Sequence, residues 1–275
     1  MKRAVFTAAA VLAVALVLGF LLLPVLAIFL RVSPGELLGR LDDRVVLDAL
    51  AVTAKTNGIA FALTLLVGTP AAYLVATSRF PGRVLVVTLC ELPLVLPPAV
   101  AGIGLLAAFG RLGLLGGTLD AAGIRVGFTQ SAVVLAVLFV AGPFYLRQAI
   151  AAFEAVDSTM LAAARTLGAG PGRTFVRVAL PLAGGGLGAG AALSLARGIG
   201  EFGATIMFAG SLQGVTQTLS LAIYAQFDLD FSRALAMGAL LVLVSAAVLL
   251  TIKVVPLWRR SPSTSPALFA PSSLR

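Results

Sequence analysis

The sequence predicts an all-α integral membrane protein with six transmembrane helices. Sixty per cent of its 275 residues are hydrophobic and 11% are charged, whereas a soluble domain carries about 25% charged residues. The mean hydropathy is +1.07. A membrane-spanning helix needs about 20 mostly apolar residues, and six stretches are long enough: 4–30, 56–78, 84–109, 126–146, 178–208 and 234–252.

The first predicted span is a retained helix rather than a cleaved secretion signal. It follows Lys2 and Arg3, as a signal would, but its apolar run from Ala4 to Leu30 is long. The hydrophobic region of a secretion signal has only about 7 to 15 residues. We therefore expect a membrane domain over residues 1–255, followed by a Pro- and Ser-rich tail, 256–275, that is disordered in the cytoplasm.

Basic residues predict that both termini face the cytoplasm. The formal net charge is +9, and in a protein with several spans such charge reports orientation before it suggests nucleic-acid binding. With the N-terminus inside, the cytoplasmic segments hold twelve of the 20 basic residues and the external segments hold six. Arg40 and Arg44 leave the first hairpin ambiguous by itself. The expected location is the cytoplasmic (inner) membrane, in contact with lipid and not with nucleic acid.

The residues that several kinds of chemistry require are missing. The chain has no His and a single Cys, Cys90, which removes the commonest metal ligand and any disulfide within the chain. A phosphate-binding loop needs a Lys after Gly, but the lysines Lys2, Lys55 and Lys253 follow Met, Ala and Ile. The sequence therefore predicts no catalytic role, no metal and no bound cofactor. Any ATP and Mg²⁺ would be held by a separate ATPase subunit.

Three connecting segments are predicted from charge and turn residues. Residues 31–48 mix Arg, Asp and Glu and are expected to form an external loop. Pro81 and Gly82 lie between basic residues and predict a tight cytoplasmic turn. The Gly-rich link 110–125 is expected to be a flexible external loop.

The longest cytoplasmic segment, about 150–181, is predicted to contain a short helix of its own. Asp157 offers an N-cap, and Leu161 and Leu167 are compatible with a helical spacing. Gly168 and Pro171 follow as stop signals. The segment is therefore expected to be structured at the membrane surface rather than a plain tether.

This segment resembles the EAA loop of bacterial ABC-importer permeases. The matching residues are Ala162, Ala163, Ala164, Gly168 and, after nine intervening residues, Val178, Ala179, Leu180 and Pro181. In that family the loop forms a coupling helix that sits in a groove of the ATPase. The resemblance implies that this site is formed by Asp157, Ala162, Ala163, Ala164, Arg165, Gly168, Ala169, Leu180 and Pro181.

One position departs from the EAA pattern. Ala162 stands where the family has a glutamate, so any salt bridge of that glutamate to the ATPase is lost. Glu154, Asp157 and Arg165 are candidates to compensate for it. The alternative interpretation of the segment is an ordinary amphipathic helix at the membrane surface.

Further runs resemble the molybdate-permease branch of the same family. They cover residues 92–98, 196–210, 216–219 and 221–224, with Ser211 and Ser220 where Asn and Pro are expected. The resemblance implies a type I permease fold, ABC ATPase partners and a periplasmic or surface-anchored oxyanion-binding protein. A homodimer is expected because one chain offers too few helices to enclose a pathway. Tungstate and sulfate permeases share much of the pattern and stay open as alternatives.

The same runs contain residues suited to an anion pathway. Pro93, Pro97 and Pro98 remove backbone donors inside the third span, which is tolerated where neighbours or water satisfy the freed carbonyls. Gly203 allows close approach of a second helix or leaves a lumen. Hydroxyl, amide and backbone N–H groups hold an oxyanion without trapping it, and the side chains of this kind are Thr205, Ser211, Thr216, Gln217 and Thr218.

Arg197 and Glu201 are four residues apart, so on a helix they lie on one face and can pair. We favour a structural pair that positions the fifth span against the third, with Glu91 as a third member, over direct contact with the anion. We interpret the stretch Lys55, Thr56 and Asn57 as the external entrance of the second span rather than as a binding site.

Two other classes of function remain as alternatives. A polytopic membrane enzyme would have only Glu91, Arg197 and Glu201 available within the bilayer, which is few for catalysis. A sensory or scaffold protein would be favoured if no ATPase bound to the chain.

Overall fold

A computed structural model describes residues 2–39 and 42–258, and in these ranges the chain is helical with no strand. The helices are α1 Lys2–Arg31, α2 Pro34–Gly39, α3 Arg44–Thr77, α4 Arg83–Val95, α5 Pro98–Phe109, α6 Gly116–Ala121, α7 Gln130–Glu154, α8 Ser158–Thr166, α9 Pro171–Thr174, α10 Leu180–Ile199, α11 Gly203–Ala209, α12 Leu219–Phe227 and α13 Phe231–Trp258. A π-helical turn, Phe175–Ala179, joins α9 to α10.

The predicted all-helical membrane fold is confirmed, with five continuous spans and a sixth when one bent pair of helices is counted as a span. Five continuous segments are long and apolar enough to cross a membrane: Val5–Arg31, Arg44–Thr77, Gln130–Glu154, Pro171–Ile199 and Phe231–Thr251. The bent pair is α4 and α5, whose axes turn by 114° at the break between them. Two consecutive prolines at 97 and 98 cannot donate backbone hydrogen bonds, so the predicted continuous span 84–109 breaks there.

The predicted external loop 31–48 is wrong over most of its length. It contains α2, and α3 begins at Arg44, twelve residues before the predicted start at 56. Asp43 caps α3 by accepting a hydrogen bond from the Val45 N–H at 3.0 Å. Val46 and Ala49 are 1% exposed, so this polar stretch has a buried apolar face that its charges concealed.

The predicted flexible loop 110–125 instead contains α6 and folds back on the end of α5. The Leu114 N–H donates to the Ala107 carbonyl at 2.8 Å, and the Leu115 N–H donates to the Ala108 carbonyl at 2.9 Å. A cavity of about 260 Å³ lies between this link and the side chains of Leu106 and Phe109.

The predicted fifth span, 178–208, is also wrong in its bounds. Its helix begins at Pro171, runs through the π-helical turn and ends at Ile199. Residues 200–202 break the chain, and α11 is a separate helix. The fourth predicted span, 126–146, corresponds to helix α7, Gln130–Glu154, which extends past the predicted start of the coupling segment at about 150.

The last described helix, α13, reaches into the predicted tail. Helix α13 continues to Trp258, past the predicted start of the tail at 256, and the rest of the predicted disordered tail lies outside the described residues.

Helix α7 is central: it packs against α3, α10, α11, α4 and α5. Its Ala132, Val133 and Ala136 are fully buried, and this core positions both regions described next.

Candidate pathway and ATPase-docking sites

The breaks in two spans lie against each other. A Cβ atom on Gly203 would lie 2.7 Å from Pro98 Cβ, and a Cβ atom on Gly102 would lie 2.6 Å from the carbonyl oxygen of Ala204. Neither position accepts a side chain without a shift. We call the meeting of residues 96–98 with residues 200–204 the break junction. Two of its predicted pathway residues, Pro98 and Gly203, are thus in direct apposition, whereas Pro93 lies inside α4.

Glu201 is the buried anchor of the break junction. Its side chain is 1% exposed, and its Oε2 lies 2.6 Å from Nη2 of Arg197. Its Oε1 accepts a hydrogen bond at 2.8 Å from the N–H of Ala204 in the first turn of α11. The predicted Arg197–Glu201 pair is therefore present, and the carboxylate also satisfies a free donor of α11. Arg197 keeps 28% of its side chain exposed.

Glu91 does not join this pair, contrary to the prediction. Its carboxylate lies 3.4 Å from Nε of Arg147 on α7. A second ion pair between the same two helices joins Arg83 to Glu154. Both pairs border a cleft of about 300 Å³ between α4 and α7.

The chain after α11 folds back towards Glu201. Gln217 Nε2 donates to Ser211 Oγ at 3.1 Å, and the Leu212 N–H donates to Thr216 Oγ1 at 3.0 Å. The hydroxyl of Ser220 then donates to the Glu201 carbonyl at 2.7 Å. The start of α12 is thereby held at the break junction.

Most of the predicted polar lining is buried within the chain. Thr205, Thr216, Gln217 and Thr218 are all less than 9% exposed, whereas Ser211 is half-buried. The contacts of the residues after α11 hold the folded-back segment together, whereas the hydroxyl of Thr205, on α11, has no hydrogen-bond partner among the described residues. Their role in a pathway stays a prediction. At the break junction, the more accessible groups are Pro97, Pro98 and Gly200.

Two residues of this region were not identified from the sequence. Thr53 on α3 accepts a hydrogen bond from the Leu219 N–H at 2.8 Å and so caps α12 from another helix. Ser220 was noted only as a departure from the expected proline. The interpretation of the 55–57 stretch as an entrance is wrong for Asn57, which is buried against Gly198 in the interior, whereas Lys55 is exposed.

A short helix, α8, is present where the sequence predicted one between the fourth and fifth spans. Asp157 accepts a hydrogen bond from the Thr159 N–H at 2.8 Å, and the hydrogen bonds from Thr159 lower the pKa of its carboxyl group. Leu161 is buried in a cluster with Tyr73 and Phe153. Gly168 has φ of +81°, a conformation that favours glycine, so the stop signal read from the sequence has its expected geometry.

The other predicted docking residues lie on α8 or in the segment that follows it, and they differ in exposure. Ala162, Ala163, Arg165 and Pro181 are exposed, and Ala164, Ala169 and Leu180 are half-buried. Of the candidates to replace the missing glutamate, Glu154 is paired with Arg83 and Asp157 caps α8. The residues 2–39 and 42–258 contain no group of three side chains suited to a metal ion.

Comparison with known proteins decides the family. Residues 68–257 match the family described as binding-protein-dependent transport system inner membrane component. The chain belongs to this family. It is 44% identical over 233 residues to the molybdenum transport system permease protein ModB of Mycobacterium tuberculosis, covering 84% of this chain and 88% of that one. Homology to ModB permease subunits is therefore established, and the all-helical membrane fold agrees with it.

Other members of the family are similar at lower identity. The sulfate transport system permease protein CysW of Synechococcus elongatus is 37% identical over 216 residues, 76% of each chain. The crystal structure of a bacterial ABC transporter involved in the import of the acidic polysaccharide alginate superimposes with a TM-score of 0.72. That match covers 94% of this chain and 98% of the other at 15% identity, and it supports the fold alone.

Proposed function

We propose that this chain is the permease subunit of an ATP-driven importer for molybdate or tungstate. The observation that carries the proposal is the 44% identity to ModB along most of both chains. The family's description, an inner membrane component of a binding-protein-dependent transport system, supports the proposal. Within that assignment the chain conducts the oxyanion and does not alter it chemically.

ATP is hydrolysed by a separate ABC ATPase that docks on α8. Three features of α8 support this role: the Asp157 cap, the sharp turn at Gly168 and the exposed Ala162 and Ala163. Small exposed side chains allow a partner surface to approach the helix backbone closely. Leu161 ties α8 to the ends of α3 and α7, so a push on α8 reaches the membrane helices.

The permease acts as a homodimer with both termini in the cytoplasm. In one chain, no residue of α4 is fully buried, and the two broken spans meet at a junction where Pro97 and Gly200 are exposed. A second copy facing this junction would enclose a pathway that one chain leaves open. A periplasmic or surface-anchored binding protein delivers the anion to the external side.

The break junction is suited to an anion in transit. The N-terminus of α5 lies at it, and N–H groups left free in the first turn of a helix favour negative charge. Arg197 is neutralised by Glu201, so the site offers dipoles rather than a lone strong cation. Weak binding of this kind permits release.

Sulfate is the second candidate substrate, favoured by the 37% identity to CysW. Reconstitution into vesicles with the ATPase and the binding protein of the same source organism separates the candidates. We expect labelled molybdate and tungstate to accumulate with ATP inside, and sulfate to compete weakly. A matched control uses an ATPase that lacks the lysine of its phosphate-binding loop. Uptake of sulfate in preference to molybdate would contradict the substrate, and uptake with the control ATPase would contradict the mechanism.

A further inference from the structure

A cavity and a groove lie side by side at the end of α5. The cavity has a volume of about 260 Å³ and the groove has a volume of about 420 Å³. Together they are in the size range of ligand pockets, about 300 to 1,000 Å³. Both are bordered by the same four residues, Leu106, Gly110, Arg111 and Phe128. Most of the other side chains that line them are apolar, so each can bury a hydrocarbon group.

This region lies at the membrane surface on the side opposite α8. Helix α7 begins at Gln130, just after the link that forms the cavity, and crosses to Glu154, from which the chain continues to α8. In the link, Leu112 is fully exposed and Leu114 is 89% exposed. Removing such apolar surface from water is favourable, and lipid is the apolar material available at this depth.

One positive charge beside the cavity and the groove is unpaired. Arg111 borders both and is exposed, and its side chain has no ion-pair or hydrogen-bond partner in the part of the chain that the structure describes. The other two ionisable groups of the cavity, Asp120 and Arg125, pair with each other at 3.6 Å. A basic side chain at a membrane surface attracts anionic lipid, so the charge and the apolar surfaces favour the same kind of ligand.

We propose that the cavity, the groove and Arg111 form a binding site for one anionic phospholipid. Its phosphate group lies at Arg111, and its two acyl chains occupy the cavity and the groove. The site has two apolar branches that meet at one cation, and a phospholipid has two apolar chains that meet at one anion. This site needs only the membrane location of the chain, so it goes beyond the proposed import function. A second copy of the chain and the binding protein are the competing occupants.

Phe128 connects this site to helix α11. Its N–H donates to the Phe208 carbonyl at 3.4 Å, and a Cβ atom on Gly210 would lie 3.2 Å from its ring. Phe128 is the one non-glycine residue with a positive φ, +58°, in the described part of the chain. Such a conformation persists where the surroundings hold it. A bound lipid therefore stabilises the contact of the link with α11, which begins at the break junction.

The first test measures lipid affinity by native mass spectrometry of the full-length chain after removal of co-purified lipid. Phosphatidylglycerol and phosphatidylcholine with the same acyl chains are compared. The natural chain should bind phosphatidylglycerol about fivefold more tightly. Arg111→Gln should abolish this preference, and Arg111→Lys should keep it. Arg31→Gln is the matched control, because Arg31 is an exposed arginine at the end of a span that borders neither the cavity nor the groove.

The second test locates the acyl chains. Phosphatidylglycerol with a photoreactive diazirine in one acyl chain should label residues 103–128 of the natural chain in nanodiscs. Ala107→Phe should reduce both this labelling and the affinity for either lipid, because Ala107 is exposed and lines the groove. Val95→Phe is the control, since Val95 is exposed on α4 and lines neither the cavity nor the groove. Every variant is first compared with the natural chain by gel filtration.

Three results would overturn the proposal. The first is equal affinity of the natural chain for the two lipids, or a preference that persists in Arg111→Gln. The second is labelling that lies outside residues 103–128. The third is a crosslink from Leu112→Cys, made after Cys90→Ser, to a second copy or to the binding protein in the absence of lipid labelling. That protein would then be the occupant.

Discussion

The two halves of the bent span, α4 and α5, are held in place by different forces. Helix α5 buries Ala101, Gly102 and Leu105, and it packs closely against α11. Helix α4 buries no residue, and its main partner is α7, to which two ion pairs join it. The continuous apolar run had predicted one uniform span. Composition thus shows that a segment can enter the membrane, but not which half of it is packed.

This difference has a consequence for movement. Ion pairs between partly exposed side chains stabilise a contact by about 0 to 1 kcal/mol each. Disturbing the close packing of a core costs about 1 to 3 kcal/mol per site. Separating α4 from α7 therefore costs less free energy than separating α5 from α11. In the proposed importer, the half of the span nearer the ATPase is the half that moves more easily.

The largest effect is expected where α5 meets α11. Gly102→Ala should lower the free energy of unfolding by about 2 to 3 kcal/mol, because the new Cβ would lie 2.6 Å from the Ala204 carbonyl oxygen. Unfolding in sodium dodecyl sulfate, followed by circular dichroism, measures the change. Gly104→Ala on the same helix is the control, since nothing lies within 4 Å of its Cβ position. Equal effects of the two variants would mean that α5 is not tightly packed against α11, and α5 would then not differ from α4 in this respect.

Glu201 should give the next largest effect, since it fixes α11 to α10. Glu201→Ala removes both the partner of Arg197 and the acceptor for the Ala204 N–H. The expected loss is about 2 kcal/mol, below the range for fully buried pairs because water reaches Arg197. Glu201→Gln keeps an acceptor for that N–H and should lose less. A loss no greater than that of Glu154→Gln, in a half-exposed pair, would show that burial does not matter here.

Local signals predicted α8 well, whereas the break junction depends on contacts that no local signal records. Asp157 as a cap and Gly168 as a stop act within a few residues, so the sequence shows them directly. The pair of Arg197 with Glu201 is likewise within one helical turn of sequence. The close approach of Gly102 to Ala204 joins positions far apart in the chain, and a glycine alone does not identify its neighbour.

The same reason explains the misplaced start of α3 and the overlooked Thr53. Charged residues near Arg44 predicted a loop, but Val46 and Ala49 pack against Leu219 and Met237 from distant parts of the chain. Tertiary burial of one face therefore outweighs the polar composition of the other. The prediction that Glu91 joins Arg197 failed for the same reason. Glu91 pairs instead with Arg147, which lies on α7 and is distant from it in the sequence.

A smaller effect is expected from the cap that α3 supplies to α12. Thr53→Val keeps the shape of the side chain but removes the acceptor for the Leu219 N–H, so a loss of about 1 kcal/mol is expected. Thr64→Val is the control, because Thr64 is also buried but donates only to Ala60 within its own helix. Hydrogen exchange at the first amides of α12 should quicken with Thr53→Val alone. Equal exchange in both variants would mean that α12 does not need this cap.

The smallest change in stability, and the most direct test of the comparison, is expected between α4 and α7. Glu91→Gln should lower the free energy of unfolding by less than about 1 kcal/mol, because Glu91 and Arg147 are both partly exposed. The contact itself is followed by crosslinking Val87→Cys to Ala151→Cys, which border the same cleft, after Cys90→Ser removes the only native thiol. Glu91→Arg should reduce the crosslinking yield, and adding Arg147→Glu should restore it by reversing the pair. If the yield stays constant in all three, apolar contacts rather than charge hold α4, and the two halves of the span differ only in how deeply they are packed.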